Sequence, residues 1–526
     1  MAKAEIMKVT DEYADYLRDE SRSVGRAETI SFPAGEAEII NILARIRAAD
    51  STITTQGART GIAAGAVPDG GHILNLSRMN RITGLHRDAA GTFYVTVQPG
   101  VLLSEMRQAV AAKEFATDSW TPEAIACLDE FRAAGAWFLP SDPTETSASL
   151  GGMAACNASG ARSFRYGPVR PYIEALRVVL GDGTALSLQR GREKADGRAF
   201  CLRQGDRVIA AGNLPAYNLP AVKNASGYYA ADDMELIDLF IGSEGTLGII
   251  TEMELRLRPE PPLRWGMTAF FPVEAAAIAF VQQVRDMPEE QKPVAIEYFN
   301  HSALDLLREQ RANPAFAGIP ELPADYHTAI YIEFHGDNED VLIDAVGETS
   351  ELLLASGGDD GATWMAMSGR EMEQQHFFRH AVPETVNLLI DRRRRREPKL
   401  TKLGTDMAVP DAALTAVMDM YNRDLMASGL ESVMFGHIGN NHIHVNILPV
   451  TLEDYRRGRE LYTAWAQEII GLGGTVSAEH GVGKLKAALL REMYGEEGIA
   501  QMKAVKEALD PEWRLNRGNL FGPERE

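Results

Sequence analysis

The chain has 526 residues, 45% hydrophobic and 24% charged, with a formal net charge of −21. That length is too great for one core, so two or three domains are expected. The strong negative charge argues against nucleic acid or anionic lipid as a main partner. The three cysteines, Cys127, Cys156 and Cys201, are far apart and odd in number. They exclude a cysteine-held zinc or iron–sulfur centre of the usual spacing and fit a reducing compartment. The opening MAKAEIMKVTDEYADYLRDESRS is polar and acid-rich, unlike a signal or transit peptide. No apolar run approaches the roughly 18 residues that span a bilayer, so a cytoplasmic chain without a transmembrane segment is expected.

In chain order, Ile39, Ile42, Leu43 and Ile46 are spaced for a helix, followed by a strand over 51–55. That strand runs into Gln56, Gly57, Ala58, Arg59, Thr60 and Gly61, with Gly65 beyond. Small residues after a strand leave backbone N–H groups free to bind phosphate oxygens. Neither a Walker loop nor a GxGxxG fingerprint is present. Strands over 72–76 and 93–98 and a helix over 102–112 follow. Residues 114–137 then form a helix-bearing excursion marked by Trp120, Ala124, Leu128 and Phe131. Residues 139–160 are almost all small; such a run lets a large ligand approach the backbone. A hairpin over 175–188 and a second glycine–hydroxyl cluster over 242–250 lead to a strand over 251–257, and Pro259, Pro261 and Pro262 mark a boundary.

The segments QGARTG (56–61) with AGAVP (64–68), PSDPTETSASLGGMAACNASG (140–160) with RYG (165–167), and GSEGTLGIIT (242–251) resemble the FAD-contacting segments of the vanillyl-alcohol-oxidase/p-cresol-methylhydroxylase superfamily. Within it the chain resembles the D-2-hydroxyacid dehydrogenases of the D-lactate, D-2-hydroxyglutarate and glycolate branch. The resemblance implies an α+β fold with a two-subdomain FAD-binding domain (31–260) after a helical lead-in (1–30). An α/β substrate, or cap, domain (261–475) follows, and a C-terminal segment (476–526) returns to the flavin. It also implies that FAD is held by residues 56–61, Gly65, Pro140, Asp142, Ser147, Gly151, Gly152, Ala154, Asn157, Gly160, Tyr166, Gly167, Glu244, Gly245, Ile249, Ile250 and Asn516. Arg59 stands where branches with covalent flavin carry a histidine, so non-covalent FAD is expected.

After residue 261 strands and helices alternate, which reads as a two-layer α/β domain. Near its end lies FGHIGNNHIHVN (435–446). With Asn440-Asn441 as a two-residue turn, Gly439 faces His442 and His437 faces His444. Strand periodicity then puts His437, Gly439, His442 and His444 on one face, an arrangement suited to a metal. The sequence TVSAEHGVGK (475–484) adds an adjacent Glu479-His480 pair.

The resemblance implies His437, His444 and Glu479 as ligands of one divalent ion, Zn²⁺ first and Mn²⁺ or Fe²⁺ as alternatives. It further implies His480 as the base, Asn446 beside the substrate and Arg379 on the substrate carboxylate. Relatives place a substrate-binding lysine at the position of Gly404; here Lys402 is the nearest candidate. His442 replaces the usual asparagine, with a role as extra ligand, supporting group or substrate contact. Gly404, His442 and the 114–137 excursion are each places where a larger acid could be accommodated.

The expected function is oxidation of a D-2-hydroxy acid, D-lactate by default, with electrons passed to a quinone, cytochrome or electron-transfer flavoprotein. The accompanying expectations are a homodimer and peripheral contact with the inner face of a membrane. The arginine run 392–396 reads as a solvated face or a dock for an acidic electron partner. Two other functions share such a flavin domain. One is a non-redox transferase of the alkyl-dihydroxyacetone-phosphate synthase kind; the other is an accessory FAD-binding subunit.

Overall fold

The computed structural model describes residues 5–522; residues 1–4 of the lead-in and 523–526 of the C-terminal segment lie outside the described residues. The first layer is a small sheet in the order Met7–Lys8, Thr29–Ser31, His72–Asn75, Ile53–Gln56, whose last three strands run parallel. The Glu36–Ala48 helix is the crossover between Thr29–Ser31 and Ile53–Gln56. Its Ile39, Ile42, Leu43 and Ile46 are buried against Ile53, Leu74 and Leu76, as their 3.6-residue spacing requires. A five-stranded antiparallel sheet lies beside it, in the order Ile82–Arg87, Phe93–Val97, Ile249–Arg256, Ile173–Val179, Ala185–Gln189. Its central strand is thus the one that the 242–250 cluster feeds.

The 114–137 excursion contains the Pro122–Ala133 helix, started by Thr121 as N-cap and Pro122 in the first turn. Trp120, Leu128 and Phe131 are buried in the core under the five-stranded sheet, and Trp120 Nε1 donates to Ile82 O at 2.8 Å. No residue of the excursion lines the main cleft described below. It therefore thickens the sheet edge.

Residues from 263 onward build a seven-stranded antiparallel sheet, ordered Thr363–Ala366, Leu263–Phe271, Thr328–Gly336, Ala295–Phe299, Ser432–His437, His442–Ile447, Leu403–Gly404. Helices cover both faces, so the two-layer expectation becomes three layers. On one face Met267, Ile296, Ile332 and Met434 meet the Glu274–Arg285, Leu414–Ser428 and Leu452–Gly471 helices. On the other, Phe299, Ala329, Tyr331 and Val433 meet His301–Gln310 and Gly369–Arg394. The two sets alternate along each strand, the period-2 signature of a sheet buried twice.

On that second face the strand residues change character along their length. Phe299 gives way to Glu297, Tyr331 to Glu333, and Phe435 to His437. That polar end points back toward the first half of the chain, where Glu333 meets Arg162 and Tyr166 OH meets His335 Nδ1 at 2.8 Å. The Ala487–Leu509 helix and the residues after it return to the small sheet, where Leu515 pairs with Ile53.

Candidate active site

A cleft of about 320 Å³ opens in the first half of the chain and is bordered by Glu479, His480, Asn516 and Asn519 of the C-terminal segment. Its wall is drawn from all three small-residue segments. Of the residues expected at FAD, it includes Gln56, Gly57, Ala58, Arg59, Thr60, Gly61, Gly65, Gly151, Gly152, Glu244, Gly245, Ile249, Ile250 and Asn516. The backbone N–H groups of residues 59–65 donate to no protein acceptor among the described residues. Several free donors in one short loop make an anion nest, which fits a pyrophosphate. Ser149, passed over in the sequence, caps the Leu150–Cys156 helix and receives both Gly152 N and Ala58 N at 3.3 Å. It locks the first loop onto the second.

The other expected FAD contacts lie off the cleft wall. Ala154 is buried on the inner face of the short helix. Asn157 ends that helix in the left-handed region and accepts from Arg170 N. Asp142 pairs with Arg107 at 2.9 Å and lies 3.7 Å from Arg162. Gly160 is pressed against Asp142 O so closely that a Cβ would sit 1.7 Å from it. Tyr166 bonds His335, Gly167 forms the turn after it, Pro140 is buried, and Ser147 is exposed and bonded to Glu145. These residues shape the wall from behind. Glu244 does line the cleft, and its carboxylate also accepts Val482 N at 2.6 Å and Gly483 N at 2.7 Å.

The histidine hairpin has a different register from the expected one. His437 pairs with His442, Gly436 with Ile443, and Phe435 with His444. A 3-10 turn over Ile438–Asn440 with Asn441 left-handed (φ 51°) makes a four-residue connection instead of two. Asn441 sets this loop: its amide nitrogen reaches Val409 O and Asp411 Oδ1, and its oxygen receives the Arg285 guanidinium. Gly439 leaves the shared face. The three histidines keep it, because the shift moves their pairing by whole side-chain periods.

The loop after Thr475 brings Glu479 onto this face. His437 Nδ1 lies 2.6 Å from Glu297 Oε1, and its Nε2 lies 3.2 Å from Glu479 Oε1. Burial opposes charge on His437, but the Glu297 and Glu479 carboxylates outweigh it and raise its pKa to about 9. His444 Nδ1 donates to Thr405 O at 3.0 Å, which leaves Nε2 unprotonated, 3.8 Å from Glu479 Oε2. Both rings therefore turn Nε2 toward Glu479, the donor set of a divalent cation.

His480 sits at the cleft wall, about a third exposed. Its Nδ1 is 3.3 Å from Asp406 Oδ2, which favours the proton there and leaves Nε2 as an acceptor. Asp406 is the hub that sequence reading missed. It accepts from Glu479 N at 3.2 Å, His480 N at 3.1 Å and Ser477 Oγ at 2.8 Å, and it pairs with Lys486. Lys223 was also missed; its ammonium pairs with Glu479 Oε1 and donates to Gly160 O at 3.1 Å.

Arg379 is buried on the Gly369–Arg394 helix, with no carboxylate within 4.0 Å among the described residues. Burial opposes the charge on Arg379, but the Glu297 and Asp142 carboxylates outweigh it and raise its pKa. Asn446 is buried opposite Gly404 and donates to His444 O. Burial and the nearby Arg22 push Lys402 down to about 8. Neither Arg379, Lys402, Asn446 nor His442 lines the cleft itself.

Family models fit this organisation. The model described as "FAD linked oxidases, C-terminal domain" matches residues 261–520, and the FAD binding domain model matches 27–127 and 123–189. The chain belongs to the FAD-linked oxidases.

Among relatives in this family, the probable mitochondrial D-lactate dehydrogenase of Danio rerio is 27% identical, over 98% of this chain and 92% of its own length. The glycolate oxidase subunit GlcD of Bacillus subtilis and the D-2-hydroxyglutarate dehydrogenase of Xanthomonas citri are each 27% identical, over 94% of this chain and 89% of theirs. A solved alkyldihydroxyacetonephosphate synthase superposes with a TM-score of 0.63 at 16% identity, covering 97% of this chain and 81% of that one. That last likeness is one of fold. As an FAD-linked oxidoreductase the chain has the mixed helix-and-sheet architecture expected of it. No helix among the described residues is long and apolar enough to cross a membrane.

Proposed function

We propose that this FAD-linked oxidoreductase oxidises a D-2-hydroxy acid to the 2-oxo acid. The observation that carries the reading is that one cleft wall holds both the anion nest of the 59–65 loop and the Glu479-His480 pair. Relatives named for D-lactate, glycolate and D-2-hydroxyglutarate support the substrate class, with D-lactate as the default substrate.

The cleft residues would hold FAD non-covalently, and the flavin would supply the acceptor for the α-hydrogen and its electron pair. His437, His444 and Glu479 would hold a divalent ion, whose Lewis acidity would act on the substrate hydroxyl. The residues of the chain do the rest. Arg379 offers a buried guanidinium fork to the substrate carboxylate. Asp406 holds the backbone of Glu479 and His480, so ligand and base keep a fixed relation. His480 Nε2 accepts the hydroxyl proton, because Asp406 keeps Nδ1 protonated. Asn446 braces the His444 strand beside them. The electrons leave to a quinone, a cytochrome or an electron-transfer flavoprotein. A non-redox transferase would have no use for the buried His437–His444–Glu479 donor set.

The test is anaerobic mixing of the yellow protein with D-lactate, D-2-hydroxyglutarate and glycolate, followed at the flavin absorption. Bleaching by at least one acid is expected; a spectrum unchanged by all of them overturns the reading. His480→Ala retains FAD and loses bleaching by at least about 100-fold. A variant reduced at the wild-type rate removes His480 from the base role.

A further inference from the structure

His442 is fully buried. Its Nε2 lies 3.0 Å from Asp406 Oδ1, whereas its Nδ1, 3.9 Å from Glu479 Oε2, has no hydrogen-bond partner among the described residues. One donor atom each from His437, His442, His444 and Glu479 falls within 4.8 Å of all the others. A ring nitrogen sealed from water without a partner is rare unless something takes its lone pair.

We propose, building on the metal reading above, that His442 is a fourth protein ligand and that the site is His₃Glu. The Asp406 carboxylate beside Nε2 favours the proton on that atom and turns the Nδ1 lone pair into the cluster. Lys223 occupies Glu479 Oε1, which leaves Oε2, the oxygen nearer His442 and His444, for the ion. Four protein donors fill the tetrahedral shell that Zn²⁺ prefers and leave no open position. In an octahedral ion such as Mn²⁺ or Fe²⁺ they leave two, the number that a 2-hydroxy acid can fill with its hydroxyl and one carboxylate oxygen. The site is therefore built for a six-coordinate ion.

The test uses the flavoprotein with its FAD, freed of metal by a chelator and titrated with Mn²⁺, free ion being read by electron paramagnetic resonance. His442→Asn weakens Mn²⁺ binding by about 10–100-fold, the loss typical of disturbing a metal shell. X-ray absorption of the Mn²⁺-loaded wild type shows three imidazoles, a count that needs no variant. Two imidazoles, or unaltered binding in His442→Asn, overturn the fourth ligand and leave the metal reading standing. A wild type that binds no divalent ion overturns both.

Discussion

The residues of the site differ in how openly the sequence announced them. An adjacent Glu-His pair among small residues is unusual in itself, and Glu479 and His480 stood out for that reason. Glu297, Asp406 and Lys223 did not. A single acid in a strand looks solvent-facing until pairing places it beside an imidazole. Arg379 came only through resemblance, and the structure gives it a physical basis in a buried cation held near Glu297 and Asp142 without a salt bridge at 4.0 Å. Such a fork is available for a substrate carboxylate. Arg379→Lys keeps the charge but loses the planar pair of donors, and Arg379→Met loses both. We expect kcat/KM to fall by about 2–4 kcal/mol in the methionine variant, with the larger part in KM. Steady-state kinetics on whichever acid bleaches the flavin decides it, and an unchanged KM removes Arg379 from the carboxylate.

At the scale of elements, periodic helices and alternating strands were readable, whereas faces and registers were not. The hairpin shows why. Gly439-Asn440-Asn441 allows a two-residue turn, but Asn441 is recruited by Val409, Asp411 and Arg285, and those contacts select the longer loop. Likewise the small-residue run 139–160 looked uniform, yet it folds around one short helix that turns Gly151 and Gly152 outward and Ala154 inward.

The first sheet carries a pH dependence of its own. His72 is fully buried between Thr29 Oγ1 at 2.8 Å and Ser31 Oγ at 2.7 Å. Burial, with help from Arg45, pushes its pKa down to about 4. The folded sheet therefore binds fewer protons than the unfolded chain. Its contribution is complete above about pH 6.5 and is lost as the pH falls toward 4, a difference of about 3 kcal/mol. Urea midpoints measured between pH 7 and pH 4 should show this loss. His72→Gln should flatten that limb, and an identical slope in the variant refutes the assignment.

For the whole molecule, the two halves are joined by charge. Arg162 donates to Glu333 at 2.9 Å, and Glu333 is completely buried, with Tyr331 OH and His335 Nε2 as its further partners. Burial opposes the Glu333 charge, but Arg162, His335 and His376, whose Nε2 is 3.4 Å away, hold its pKa well below the usual carboxylate range. Arg162→Met strands that carboxylate and should cost about 3–5 kcal/mol. Glu333→Gln in the same chain should restore part of it. Thermal unfolding of the two variants checks both, and a single variant as stable as wild type overturns the coupling. This network was invisible in the sequence because its members lie at 142, 162 and 333–335, in segments read for other purposes.

Leu515 lies in the same apolar cluster as Ile39, Leu43, Ile53 and Leu74, and Asn516 N donates to Ile53 O at 2.8 Å. The nascent chain thus makes its first sheet hundreds of residues before the side chain that fills that sheet's core. Domains usually fold in order of synthesis. Here segments hundreds of residues apart in the chain must meet before the first sheet's core and the cleft wall, which includes Asn516 and Asn519, are complete. The first half therefore does not close on its own sequence alone, and its assembly carries the loop-closure entropy of that long separation.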